Sequence, residues 1–288
     1  SENINQLPAP NYDGFPLGLY LSPEPVLPVQ FSRGCYYKDC AFCALTLDHQ
    51  NFRQRDPGKT VDDLVWLKER YGAQSFFFTD ECFALSPTKR LCQQMIDRQV
   101  NVKWTCELRF EKNLTRELLG QMRDAGCLKI VFGLESFNQR VMDFMKKGIK
   151  QESVRRIVDD CVDLGIAVHC YVIVGFPTEK EEEALDTMNF VVGNKKLHES
   201  YGFSCQPCLF DLEKEAPIMS DPGSYGIRRI MRPATEDLSL GFFYEVQEGM
   251  TPAQAEQLYQ QVYEKISEVV CELPFNYSMA DGLLYIAR

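Results

Sequence analysis

Three cysteines stand close together in Gly34-Cys35-Tyr-Tyr-Lys-Asp-Cys40-Ala-Phe-Cys43, spaced at i, i+5 and i+8. On an α-helix the outer pair would lie about 12 Å apart along the axis, too far for one compact centre. A loop curling over a metal suits the spacing better, and Gly34 gives the chain room to turn. Three thiolates leave a cubane iron–sulfur cluster one protein donor short. One iron would then stay open, as catalytic metal sites keep a position open. The same thiols with His49 would make a Cys3His zinc site. Three buried free cysteines would carry no chemistry. Spacing alone leaves all three readings standing.

The elements that must position these thiols follow from the pattern around them. Residues 1–28 form a lead with Pro8, Pro10, Pro16, Pro23, Pro25 and Pro28. Proline fixes φ and donates no hydrogen bond, so an extended strap or linker is expected. From Val29 short apolar runs alternate with amphipathic helical patterns. Strands are expected at Val29–Ser32, Ser75–Thr79, Val102–Cys106, Leu128–Phe132, Ile166–Val174 and Tyr201–Cys208. Helices are expected at Val61–Tyr71, Pro87–Arg98 with Ser86 as N-cap, Thr115–Ala125, Asn138–Lys147, Gln151–Leu164 and Glu179–Val192. Each strand–helix step takes roughly 30 residues, the size of a βαβ unit, which implies a parallel sheet covered by helices. Loops at the C-terminal ends of such strands are where these folds place their chemistry, and the triad directly follows the first strand. After Cys208 the alternation stops; turn signals precede one further helix from Pro252 to about Val270, with Thr251 as N-cap.

The 288 residues are 45% hydrophobic and 25% charged, which excludes a disordered or fibrous chain. Lysine plus arginine is 31 against 41 acidic residues, a net charge of −10. Nucleic acid is therefore a poor default partner. No apolar run approaches the roughly 20 residues that span a bilayer, and no signal-peptide pattern opens the chain. Twelve cysteines in a chain with a large core fit an intracellular, cytoplasmic protein better than a disulfide scaffold.

Gln30-Phe-Ser-Arg-Gly-Cys35 through Cys43 resembles the cluster loop of radical S-adenosylmethionine (SAM) enzymes. The likeness is nearest to the subgroup commonly fused to an N-terminal cobalamin-binding domain, which this chain lacks. Thr79-Asp-Glu-Cys-Phe83, Trp104-Thr-Cys-Glu-Leu-Arg109, Gly133-Leu-Glu-Ser136 and Ile173-Val-Gly-Phe-Pro-Thr-Glu179 resemble that subgroup's successive strand-end motifs, in order. The resemblance covers about residues 11 to 195. It implies an α/β fold, a partial (β/α)6 TIM-like barrel over residues 29–208, with residues 209–288 as a C-terminal extension covering the substrate. It also implies a [4Fe-4S] cluster on Cys35, Cys40 and Cys43, its open iron chelated by SAM. Reductive cleavage of SAM would give methionine and a 5′-deoxyadenosyl radical that takes hydrogen from a peptide or natural-product-like substrate. A flavodoxin- or ferredoxin-like protein would supply the electron.

By the same resemblance, Phe42 lies near the adenine. Asp80 or Glu81 meets the methionine ammonium, Asp80 being preferred, and Arg109 forks onto its carboxylate unless it pairs with Glu107 or Glu111. Glu135 and Ser136 reach the ribose or amino-acid end, while Ile173 and Gly175 line the adenine. Cys205-Gln-Pro-Cys208 could ligate a second cluster, though two ligands are too few and Cys271 is the only downstream cysteine; it could also donate a thiol hydrogen to a substrate radical, or do neither. Cys82, Cys92, Cys106, Cys127, Cys161 and Cys170 read as core. His169 and His198 merit no role, and Glu179 to Glu183 reads as a solvated helix start. Two other functions compete: a cobalamin-dependent radical SAM methyltransferase whose cobalamin domain lies outside this chain, and a non-catalytic Cys3His zinc module.

Overall fold

The computed structural model describes residues 3–20, 24–45, 51–194, 203–232 and 241–269. His49, His198, Cys271 and the first two residues expected in the Tyr201–Cys208 strand lie outside them. The elements in chain order are β1 Val26–Val29, β2 Ser32–Arg33, β3 Arg53–Gln54, α1 Pro57–Tyr71, β4 Ser75–Phe78, α2 Leu85–Asp97, β5 Lys103–Leu108 and α3 Arg116–Asp124. Next come β6 Cys127–Glu135, α4 Gln139–Phe144, α5 Gln151–Asp163, β7 Ala167–Val174 and α6 Glu181–Gly193. β8 Phe203–Leu209 completes the main sheet, and the extension adds β9 Leu212–Glu213, β10 Ile227–Met231, β11 Gly241–Val246 and α7 Pro252–Val269.

Six strands form one parallel sheet in the order β1-β4-β5-β6-β7-β8. Its two ends, β1 and β8, are not paired to each other among the described residues, so this is an open partial barrel. Strand order follows chain order because each strand–helix–strand step lands beside the last strand. Alternate residues face opposite sides of a strand. Phe76, Trp104, Cys106, Ile130, Phe132 and Cys170 face the helices and join Leu64, Leu91, Leu119, Ile157 and Met188 in one core. The other face points into the barrel. There the register aligns Phe77, Thr105 and Lys129 in one row, and Glu107, Val131, His169 and Ser204 in the next.

Several local expectations shift. The first strand begins at Val26 rather than Val29, so the end of the proline-rich lead is already barrel. Pro28 is tolerated there because β1 is an edge strand, where one face of the ladder needs no donor. Above it, Glu24 reaches Ser75 Oγ and Lys103 Nζ, the latter at 3.6 Å. The second helix starts at Leu85 after Ala84, not at Pro87 after Ser86. The fourth strand runs three residues further, through Glu135, and the next helix stops at Phe144, releasing Lys147 from it. The extension is not a plain cover: β9, β10 and β11 form an antiparallel sheet. Its Phe210, Leu212, Ile218, Tyr225 and Tyr244 bury against Ala41, Met145, Ile173 and Phe176.

Candidate active site at the strand C-termini

The cysteine loop is held at many points. β2 and β3 pair antiparallel at its base, and Gly34 turns with φ +80°. The Asp80 carboxylate, 1% exposed, accepts from Phe31 N at 3.0 Å, from Ser32 Oγ at 2.6 Å and from Ser32 N. Glu81 Oε2 accepts from Gly34 N at 2.9 Å. Tyr36 OH donates to Glu111 Oε1 at 2.6 Å, and Tyr37 OH to the Lys146 carbonyl at 2.9 Å. Ala41 N reaches the Met145 carbonyl at 2.9 Å and Ile218 N the Ala41 carbonyl at 2.8 Å, so the extension braces the loop from above.

The three thiols lie within electrostatic range of one another. Burial pushes Cys40 up and Cys43 up to about 11, against the pull of Lys147. Cys35 is lowered to about 5, chiefly by a hydrogen bond from Cys82. Arg109 Nη1 lies 3.8 Å from Cys40 Sγ, and its guanidinium stacks on the Tyr37 ring at 3.4 Å. These cations suit a centre that gathers several thiolates, because they offset the negative charge in a desolvated place. Among the described residues no group of three or more His, Cys, Asp or Glu side chains is gathered tightly enough to hold a single ion.

Beside Cys40 lies a buried ion pair. Lys147 Nζ is 2.8 Å from Glu135 Oε1, both side chains under a tenth exposed. Lys147 Nζ also sits 5.4 Å over the Phe42 ring. Burial disfavours its charge, but Glu135 and Cys40 outweigh that and raise its pKa. Glu135 adopts φ +62°, rare for a residue with a side chain, at a bulge where Gly133 pairs with Tyr171 and Glu135 with Val172. Backbone strain of this kind clusters at active sites, ligand clamps and switch regions.

Of the residues named from the sequence, Phe42, Glu135, Arg109 and Cys40 come together here. Ile173 packs in the same apolar group as Phe42. Cys208 pairs in register with Ile173 and lies in electrostatic range of Glu135, so its thiol faces the barrel interior. Cys205, three residues earlier, is on the opposite face and packs with the helix-side core. The CxxC therefore offers no dithiol, because an odd offset on a strand reverses the side.

Other residues are turned elsewhere. Asp80, the preferred candidate for the SAM ammonium, has its carboxylate engaged in holding the loop. Ser136 Oγ lies 3.3 Å from Thr187 Oγ1 on α6 and accepts from Asn138 N at 3.1 Å, away from the interior. Gly175 N donates to Glu179 Oε2 at 2.7 Å, and its open side faces Ala255 of α7. Arg109 approaches Glu111 at 3.4 Å rather than Glu107.

Sequence reasoning passed over four residues. Lys147 hides in what reads as a basic helix end; the helix stops at Phe144 and Lys146 turns with φ +53°, which frees the lysine. Cys82, read as core, lies in electrostatic range of Cys35, its thiol reaching the Phe83 carbonyl at 3.8 Å. Glu179, read as solvated, is 1% exposed, its Oε1 lacks a hydrogen-bond partner, and burial pushes it up to about 8. His169, given no role, is buried on the barrel floor beside Lys129, its Nδ1 2.7 Å from Ser204 Oγ.

The radical SAM superfamily model matches residues 29–191. An uncharacterised methyltransferase of Pyrococcus horikoshii is 28% identical over 204 residues, covering 69% of this chain and 43% of that protein. An anaerobic magnesium-protoporphyrin IX monomethyl ester cyclase of Rubrivivax gelatinosus is 30% identical over 160 residues, 54% of this chain and 29% of its own. Among solved structures, the cobalamin-dependent SAM radical enzyme OxsB matches with TM-score 0.69 at 16% identity, covering 90% of this chain and 43% of that one. The radical SAM methyltransferase TsrM of Kitasatospora setae matches with TM-score 0.58 at 18% identity, covering 82% and 47%. The chain thus spans less than half the length of these relatives.

Proposed function

Because the chain belongs to the radical SAM superfamily, we propose that it is an enzyme that cleaves SAM reductively and takes a hydrogen atom from a small-molecule or peptide substrate. Cys35, Cys40 and Cys43 would hold a [4Fe-4S] cluster, and the three-thiol donor set with its adjoining cations fits that group. When bound, the cluster supplies the electron and SAM the 5′-deoxyadenosyl radical. The residues of this chain do the rest. The observation that carries the reading is the Glu135–Lys147 pair beside Cys40. An amino acid presents an ammonium and a carboxylate, and this pair can exchange its mutual contact for both: Glu135 takes the ammonium, Lys147 the carboxylate. Phe42 and Ile173 offer apolar surface at the same level. The extension over the loop limits water and stray hydrogen donors.

A one-electron donor of low potential is required, and we assign a flavodoxin- or ferredoxin-like protein of the cytoplasm. No helix of the described residues is long and apolar enough to cross a membrane. Cys208 remains a candidate hydrogen donor from the interior face of β8. A second reading is cobalamin-dependent methyl transfer by a longer protein, favoured by relatives named methyltransferases and by their greater length. Cobalamin affinity of a longer native chain separates the two. Anaerobic reconstitution tests the main reading: iron and sulfide should bind, and dithionite should drive formation of 5′-deoxyadenosine. Cys40→Ala should lose both. Zinc without sulfide in the wild type, with no SAM cleavage, overturns it.

A further inference from the structure

Arg109 follows directly on β5, and its guanidinium is fixed from several directions. Nη1 donates to Cys40 Sγ at 3.8 Å and Nη2 to the Lys147 carbonyl. Its Cζ lies 3.4 Å from the centre of the Tyr37 ring, and Nε comes within 3.4 Å of Glu111 Oε1. Tyr37 is itself held, its OH donating to the Lys146 carbonyl at 2.9 Å. That OH fills the place a side chain at Gly148 would take, 2.1 Å from an added Cβ. Ala41 N on the Met145 carbonyl ties the loop to the same turn. Arg109 and Cys40 are both buried, and a buried cation is costly unless it is paired. Glu111 is shared with Tyr36 OH. A neutral thiol is a weak acceptor and answers no charge. A sulfur bound to iron carries negative charge, and hydrogen bonds to such sulfurs are among the factors that set the potential of iron–sulfur centres. The protein itself thus engages the terminal nitrogens that the resemblance gave to the SAM carboxylate.

We propose that Arg109 is a positioning residue for Cys40, and that its charged N–H···S hydrogen bond raises the reduction potential of the cluster held by the triad. The proposal rests on the iron–sulfur reading above. A donor bearing positive charge stabilises the added electron, and charge-assisted hydrogen bonds are the stronger kind. Outer partners also fix the direction of the ligand itself. The planar fork matters, because one group reaches the Cys40 sulfur and the Lys147 carbonyl together.

The test uses the full chain, reconstituted anaerobically with iron and sulfide, in wild type, Arg109→Met and Tyr37→Phe. Iron and sulfide content are measured with the potential, by redox titration followed by electron paramagnetic resonance. Methionine removes donor and charge. Phenylalanine loosens the same loop at the Lys146 carbonyl but keeps the ring under the guanidinium. The expected result is a potential near wild type in Tyr37→Phe and a more negative one in Arg109→Met. At a fixed potential the ratio of reduced to oxidised cluster should drop about tenfold in Arg109→Met, about 59 mV for a one-electron couple. A second measurement needs no substitution: wild type labelled isotopically at its arginine guanidinium nitrogens should show a coupling between labelled nitrogen and the reduced cluster in pulsed resonance. Where Arg109→Met holds no cluster, this coupling decides. Equal potentials in wild type and Arg109→Met overturn the proposal, as does an equal shift in Tyr37→Phe, which would reduce the effect to loop order. Absence of the coupling in the wild type overturns it as well. A wild type that binds no iron and sulfide overturns instead the reading on which the proposal rests.

Discussion

A methyl group added at Gly133 would stand 2.5 Å from Glu135 Oε1 and 2.7 Å from Lys147 Nζ, inside the ion pair that we assign to the amino-acid end of SAM. Gly133→Ala must therefore push the two charges apart without touching a triad cysteine. A hydrogen bond to a charged group contributes about 1.5–3 kcal/mol, so SAM affinity should fall about tenfold or more while iron content stays constant. Equilibrium binding to the reconstituted variant measures this, and unchanged affinity would remove the pair from the SAM site. At this scale the sequence showed which residue types stood at strand ends. It did not show partners. Glu135 could be singled out because a carboxylate closing an apolar strand demands a counter-charge. Lys147 could not, since a lysine at a helix end is ordinarily solvated and its burial comes from the strand across the loop. Asp80 and Glu81 show the same limit, because only the folded loop reveals that the amides of Phe31, Ser32 and Gly34 occupy their oxygens.

The turn between β7 and α6 carries a buried acid rather than a solvated one. Glu179 Oε2 accepts from Gly175 N, while Met250 N donates to the Glu179 carbonyl at 2.8 Å, linking the turn to the extension. Burial raises its pKa to about 8, above the ordinary carboxylate value, despite the amides of Gly175 and Phe176. The folded state then holds a proton that the unfolded chain has released. Stability contributed by this group is present below about pH 4.5 and is lost as pH rises to about 8. Glu179→Gln should flatten that part of the stability–pH curve, measured by urea unfolding of the cluster-free protein across this window. Asp80, pushed up to about 7 by burial, adds a slope of the same sign that the variant retains. Helices and strands themselves were legible because their apolar periods differ, about 3.6 against 2. Their ends were less so: β6 runs through Glu135 and α2 starts without its expected serine cap, since pairing and packing override local propensity at termini.

The extension and the barrel are joined at Gly175, where φ is +85° and an added Cβ would meet Ala255 Cβ at 2.4 Å. Tyr244 OH reaches the Gly175 carbonyl at 3.4 Å from the other side. Gly175→Ala should destabilise the docking of α7 by about 1–3 kcal/mol through overpacking and backbone strain. Amide exchange in α7 should accelerate relative to the barrel helices; equal exchange would show that α7 does not depend on this contact. The parallel α/β class, the step order of the barrel and a cysteine loop after its first strand were all determined by sequence, because hydrophobic period and residue spacing are local properties of the chain. The tertiary structure alone decided that Lys147 answers Glu135 and that residues after Cys208 build a second small sheet. Each of these depends on strand register or on contacts between residues far apart in the chain, and no local pattern encodes them.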